Sequence, residues 1–436
     1  MRPATWKRPG LARLLTVLLA WPAMAAAQSD MSGRGTMHEQ GTEIRIGAQA
    51  VPAWFHADPV PGGGSLSEVK LVQTAVEAHA SFGGGRIELT GTLDLEGATM
   101  PGGELAPGDW GEGYVDRRHP HTYTHELLVT VNDLLGRRSG AGALSLTVGK
   151  GFAPFGTDDP MVRPLLRYPV NHHLSQILER AVAIVGWRWR PVTLEAGLFD
   201  GDEPTRPGDW PNVSRFGDSW ATRVTVTPAR GVELQGSYAN VASPEVRDGG
   251  GTEQRKLSVS GRLERVVTGH PVYALAEWAR SREAGGAFTF SSALAEGSVG
   301  AGRHRLAYRF ERTSRPEEER GTDLFRSVRP HLDNSIVGTT RWSLHSVNYS
   351  MRLPAVAGRV EAAPFVEVTI GGVTRLSGAL FDPAAFYGSD RVRAITLGAR
   401  LSFGGGHGHR MGRYGAAGTP MTPQRRMNMH SREEGD

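Results

Sequence analysis

Leu144-Ser145-Leu146-Thr147-Val148-Gly149-Lys150-Gly151-Phe152-Ala153-Pro154-Phe155-Gly156 decides how this chain folds. Its first half alternates apolar and polar side chains with a period of two, the pattern of a strand with one apolar face and one polar face. Its second half breaks the alternation with Gly, Pro and Phe. It opens a long irregular segment, 151–177, which carries Asn171-His172-His173 near its end. A strand of about ten residues, a tight turn, a second strand and a long polar loop is the repeating unit of a membrane-spanning β-barrel.

The same alternation recurs on both sides of this stretch. Ile87, Leu89, Leu93 and Leu95 oppose Glu88, Thr90, Thr92 and Asp94, and Val192, Leu194, Ala196 and Leu198 oppose Thr193, Glu195 and Gly197. Ile395, Leu397, Ala399, Leu401 and Phe403 oppose Thr396, Gly398, Arg400 and Ser402. A soluble sandwich would show the same faces, so the connections decide. Connections after even-numbered strands are short, such as Gly83-Gly84-Gly85 and Arg190-Pro191. Those after odd-numbered strands are mostly long, including 98–121, 151–177, 201–217, 315–336 and 372–390. Short turns on one rim and long loops on the other predict an all-β fold: a transmembrane antiparallel β-barrel of about 16 strands, with periplasmic turns and extracellular loops. Phe82, Trp189, Trp220, Tyr238, Trp278, Trp342 and Tyr349 stand near strand ends, as an interfacial girdle requires.

Composition agrees. Cys is absent from the 436 residues, which removes disulfides and Cys-based zinc sites. No apolar run after the N-terminus is long enough for a membrane helix. Residues 1–27 read as an export signal, with Arg2, Lys7, Arg8 and Arg13 before the apolar Leu14–Ala20 and with Ala25-Ala26-Ala27 as the cleavage site. Its removal takes Lys plus Arg from 49 to 45, level with 45 Asp plus Glu, so the charge gives no case for nucleic acid. The organisation expected is therefore signal 1–27, a flexible periplasmic segment 28–42, the barrel 43–403 and a disordered periplasmic tail 404–436 rich in His, Met and Arg.

The opening stretch Leu146–Gly156, with Pro364-Phe365-Val366-Glu367 and the terminal aromatic Phe403, resembles Gram-negative porins related to the phosphate-selective group. Asp116-Arg117-Arg118-His119-Pro120-His121, with Asn171-His172-His173 and Leu198-Phe199-Asp200, is similar to a set of predicted outer-membrane barrels sharing a D-R-x-H-P-H motif. The resemblance implies a passive channel in the bacterial outer membrane. Its partners would be outer-membrane lipid and small hydrophilic solutes or ions, and it would assemble as a homotrimer. The porin pattern ends at the terminal aromatic, whereas this chain runs on to Asp436.

Alternation places Arg303, Arg305 and Arg309 on the inward face of the thirteenth strand and Arg262 beside Glu264 on the tenth. Glu195, Glu361 and Glu367 also read as pore-lining. Arg rings favour anions and acidic rings favour cations, and the mixture here predicts a mutually neutralised lumen. Segment 151–177 is the expected constriction, with Asp158, Asp159, Arg163 and Arg167 as its charged residues. His119, His121 and His125 stand within seven residues where the loop becomes the fourth strand, with Asp116 and Glu126 as oxygen donors nearby, and His119 and His121 there face His172 and His173 before the sixth strand, about 10 Å apart at a strand spacing near 4.8 Å. Two readings of these four stand: loop histidines that tie the segment to the wall, or ligands for a transition-metal ion. Strict alternation sends His125 and Glu126 to opposite faces. His407, His409, Met411, Met421, Met427, Met429 and His430 in the tail suit a soft metal equally well, giving a second functional reading, a metal-binding or metal-export accessory barrel. No Gly-x-Ser-x-Gly or Walker motif occurs. Ser343 and an inward His345 are the nearest approach to a catalytic pair, and the chain is read as a non-enzyme with no resident cofactor.

Overall fold

The computed structural model describes residues 42–59, 64–99, 121–157, 159–170, 172–204, 207–244, 249–318, 336–355, 360–377, 382–404 and 410–418. The signal, residues 28–41, His119, Asp158 and the tail beyond 418 lie outside them. The strands are β1 Glu43–Asp58, β2 Leu66–Phe82, β3 Ile87–Asp94, β4 Thr124–Gly136, β5 Gly142–Gly151, β6 Arg180–Trp189, β7 Val192–Phe199 and β8 Ser219–Ala229. They continue as β9 Val232–Ala242, β10 Glu253–Val267, β11 His270–Glu283, β12 Phe288–Ala301, β13 His304–Glu318, β14 Ile336–Met351, β15 Val360–Ser377 and β16 Arg391–Phe403. A one-turn helix, α1 (Glu96–Thr99), follows β3.

Each strand pairs antiparallel with the next, and β16 returns to β1 from Ala48↔Phe403 to Asp58↔Arg393, so the sixteen strands form a closed barrel. Closure follows from the alternation. Leu127, Val129, Leu146, Val148, Leu257, Val259, Leu306 and Val347 are exposed on the outer surface. Only a sheet without edges can present such a surface to hydrocarbon and still pair all of its backbone groups. The inner face is polar and knits adjacent strands, as in Thr130 with Thr147 at 2.9 Å and Ser346 with Thr369 at 2.8 Å. The short rim is built from tight turns. In Gly83-Gly84-Gly85 all three φ values are positive, which only glycine adopts without strain.

Trp189, Trp220, Tyr238, Trp278 and Tyr349 stand exposed on the outer face as the girdle requires. Trp342 does not. It is fully buried inside, with Arg315 stacked 5.1 Å from its ring. β14 therefore runs in the opposite phase to the expected one. His345 faces out, bonded to the Tyr308 hydroxyl at 2.7 Å, and no Ser343–His345 pair reaches the lumen.

The physical reason is that the lumen is not uniformly polar. Phe152, Phe155, Met161, Leu166, Tyr168 and Ile177 of segment 151–177 fold into the barrel and form one apolar cluster with Phe55, Phe199 and Phe365 of the wall. Leu344 and Trp342 are buried in a second such cluster with Val170 of the same segment. An apolar residue on a strand can therefore face inward wherever the segment covers it.

Candidate functional site: the occupied lumen

Segment 151–177 is held by carboxylates that accept hydrogen bonds from its backbone and its side chains. Glu367 on β15 receives Leu166 N at 2.8 Å and Arg167 N at 3.0 Å. Glu311 on β13 receives Val170 N at 3.0 Å and also pairs with the Arg167 guanidinium. Glu277 on β11 receives Ser175 Oγ at 2.6 Å and the Thr157 hydroxyl, with Arg163 Nη2 3.5 Å away. A loop has no strand partners, so inside a barrel its N–H groups must find acceptors on the wall. These acids supply them.

Arg309, buried on β13, donates to Glu296 at 2.7 Å and to the Arg167 carbonyl at 2.6 Å. Of the charged loop residues in the description, Asp159 caps the turn at Pro160–Val162 by accepting from Met161 N at 2.7 Å. Arg163 and Arg167 are buried among wall acids, and burial is outweighed by Glu277 and Glu296 in holding Arg163 above its ordinary range.

One glycine controls the fold of this segment. Gly156 has φ +66°, and a Cβ there would sit 1.6 Å from the Ser175 carbonyl oxygen, which is backbone and cannot swing aside. Left-handed strain alone costs about 1–2 kcal/mol, and the clash adds to it. Gly156→Ala is expected to free the segment from the wall while leaving the strands paired, read as new protease cleavage within 151–177 in an otherwise resistant barrel.

Of the remaining pore-lining candidates, Glu195 is buried and receives Arg223 through two bonds of 2.6 Å. Arg262 bonds Glu264 at 2.7 Å and lies over the Tyr273 ring, and Glu361 is half-buried on β15. Arg303 is a correction: it stands in the two-residue turn between β12 and β13, on the rim and not on the wall, because β13 begins at His304. Arg305 lines a recess of ≈ 220 Å³ on one side of the segment, together with Arg163, Arg400, Gln49, Asn348 and Phe365.

A second insertion was not expected. Residues 410–418, read from the sequence as part of a disordered tail, are ordered inside the barrel. Met411, Tyr414 and Ala416 are buried there. Tyr414 donates to Glu126 at 2.6 Å and accepts from Phe152 N at 3.1 Å, so this segment touches the start of the first one. Arg223 donates to the Gly412 carbonyl at 2.6 Å, Ala416 N donates to Ser145 Oγ at 2.7 Å, and Arg410 pairs with Glu233 at 2.6 Å. The only sequence signal was negative: Tyr414-Gly415-Ala416-Ala417 is less charged than its surroundings.

Of the four histidines of the metal reading, His119 lies outside the described residues, and His121 and His173 stand against different parts of the wall. The turn His172–Ser175 packs against β10, β11 and β12, where the His173 carbonyl accepts from Lys256 at 3.0 Å. His121 instead meets Asp94 and Glu96, with Nδ1 3.2 Å from Asp94 Oδ2 and 3.6 Å from Glu96 Oε2. Its neighbour is His125, which lies within the same seven residues of sequence but which alternation sets on the face opposite Glu126; His125 Nδ1 is 2.5 Å from Glu179 Oε1 and its ring centroid is 5.2 Å from that of His121. A bulge explains the miss. Pairing steps from Thr92↔Glu126 to Leu93↔Thr124, leaving His125 as the extra residue, so His125 and Glu126 are both buried.

The electrostatics are those of a dense buried cluster. Burial first, then Asp94, pushes the Glu96 carboxyl up to about 7. For His121 burial is outweighed by hydrogen bonds to Asp94 and Glu96, which hold it well above the ordinary imidazole range. For Glu179 burial is outweighed by His125, and its carboxyl lies below the usual range. Glu179 itself has φ +60° and accepts the Thr122 N–H at 3.0 Å with each oxygen, a strained position fixed by its partners.

A closed sixteen-stranded barrel with an apolar exterior has the architecture of a membrane-spanning β-barrel. No family model matches the chain, and no curated protein matches it in sequence. Among solved structures it is similar to the anion-selective porin from Comamonas acidovorans, at 9% identity and TM-score 0.48 over 83% of this chain and 100% of that one. It is also similar to the trimer form of OmpT, an outer membrane protein of Vibrio cholerae, at 9% identity and TM-score 0.45 over 83% and 100% of the two chains. A third is Pseudomonas aeruginosa OccK2 in complex with glucuronate, at 12% identity and TM-score 0.38 over 83% and 98%.

Proposed function

We propose that this protein is an outer-membrane channel for passive diffusion of small hydrophilic solutes, narrowed by segment 151–177 and again by segment 410–418. The observation that carries the reading is the binding of the Leu166, Arg167 and Val170 N–H groups by Glu367 and Glu311. A loop bonded to the wall at the middle of its length narrows the lumen at a fixed place. The reading puts the solute path along the recess beside Arg163, Arg305 and Arg400, where guanidiniums favour anions. The rival reading, a metal-binding or metal-export accessory barrel using the loop histidines and the Met/His tail, draws support among the described residues from the acid–histidine cluster, which bears on an ion held in the wall and not on export.

Planar-bilayer recording in a salt gradient tests the channel. The expected result is ohmic steps whose reversal potential moves toward cation preference when Arg305→Glu and Arg400→Glu are combined. Folded, purified protein that gives no steps overturns the reading, and an unmoved reversal potential overturns the path.

A further inference from the structure

We propose that Asp94, His121 and His125 form a binding site for a divalent transition-metal ion, zinc or an ion of similar ligand preference, built into the barrel wall at the base of segment 151–177. One donor atom from each of the three lies within 4.8 Å of the others, and all three side chains are buried. Donor atoms around a tetrahedral zinc stand roughly 3.3 Å apart, given bonds of about 2.0–2.1 Å. The separations at His121 Nδ1, 3.2 Å to Asp94 and 3.6 Å to Glu96, are edges of that size. A mixed imidazole and carboxylate set without sulfur suits zinc, cobalt or nickel better than calcium or Cu(I).

A second observation points to a ligand independently of the cluster. His125 Nε2 is fully buried and has no hydrogen-bond partner. Buried polar atoms are rarely left so, since each orphan costs about 1–3 kcal/mol. The other nitrogen of His125 is already committed to Glu179 at 2.5 Å. A carboxylate on one imidazole nitrogen fixes the proton there and leaves a lone pair on the other, the arrangement found behind metal-bound histidines. Glu179 thus orients His125, and Glu96 Oε2 is placed to supply a fourth donor.

The site joins parts distant in sequence. Asp94 ends β3, Glu96 begins α1, His121 precedes β4, His125 is the second residue of β4, and Glu179 is the last residue before β6. Glu96 also accepts the N–H of Gln73, which sits in a bulge of β2 with φ +49°. An ion here fastens four stretches of wall at the point where segment 151–177 returns to it.

The test uses full-length protein refolded in detergent with Co²⁺ or Zn²⁺ and then desalted. The expected result is one ion retained per chain, tetrahedral cobalt absorption, and loss of both in His125→Gln and Asp94→Asn. Glu179→Gln, which touches no metal, should weaken affinity by about 10–100-fold. Wild-type protein that retains no ion, or His125→Gln that retains it equally, overturns the site. Should the variants not fold, X-ray absorption of the wild-type zinc form decides: a shell with two imidazoles and carboxylate oxygen supports the site, and one without imidazole overturns it.

Discussion

A chain ended after Gly404 is expected to conduct several-fold more current per pore than the full-length protein, with its barrel intact. The wall does not need the segment that follows. Phe403 already pairs with both Ala48 and Val360, which completes the closure. The lumen does change. Tyr414, Met411 and Ala416 leave a space in which they were buried, and Arg413 no longer bridges Thr225 and Gln235 across β8 and β9. Glu195 and Arg223 keep each other, and Glu233, which loses Arg410, is part-exposed and can be hydrated. Phe152 N loses its acceptor in Tyr414, which loosens the start of segment 151–177 as well. Single-channel recording compares the two proteins, with heat-modifiable migration in gels to show that both are folded. Equal conductance would mean that the segment does not obstruct the path, and would leave 151–177 as the sole constriction in the proposal.

Such a device was not legible in the sequence, and the reason is physical. Alternation reports which face of a strand touches hydrocarbon, because every outward residue meets the same solvent; that is why the sixteen strands between Glu43 and Phe403, and the sorting of turns from loops, could be read directly. The inward face has no single solvent. Where segment 151–177 lies against the wall, inward residues such as Trp342 and Leu344 are as apolar as outward ones, so the phase of β14 was misread and His345 was sent inside. Bulges defeat periodicity in another way. One unpaired residue at His125 turns it and Glu126 to the same side and creates a cluster with Asp94 and Glu179 that no spacing rule contains. The long segment itself was legible, because its length, its Gly156 and its Arg163 and Arg167 are local facts. Its anchors Glu311 and Glu367 are not local to it, and only the closed barrel brings them within reach.

Glu296→Ala is expected to be the most destabilising single change in the lumen. Its carboxylate accepts from Arg309 Nε at 2.7 Å and from the Tyr273 hydroxyl at 2.7 Å, with Arg163 Nε 3.9 Å away, and the side chains of Glu296, Arg309 and Arg163 are all almost wholly buried. Truncation leaves a guanidinium inside the barrel without its counter-charge, which costs about 3–5 kcal/mol where one member of a buried pair is removed. Arg309 cannot escape to water, since its other bond holds the Arg167 carbonyl of the inserted segment. The same pair replaced on both sides, Glu296→Met with Arg309→Met, should cost less than Glu296→Ala alone, because no charge is then stranded and the methionines fill the volume. Urea unfolding of the refolded barrel in vesicles, run on Glu296→Met, Arg309→Met and the double beside Glu296→Ala, gives the coupling as the departure from additivity, about 0.5–3 kcal/mol for residues in contact. Strict additivity would mean that Glu296 and Arg309 act separately, and that the inserted segment owes its place to Glu311 and Glu367. A strong coupling accompanied by raised conductance in Glu296→Ala would tie the charge network of the wall to the position of the constriction.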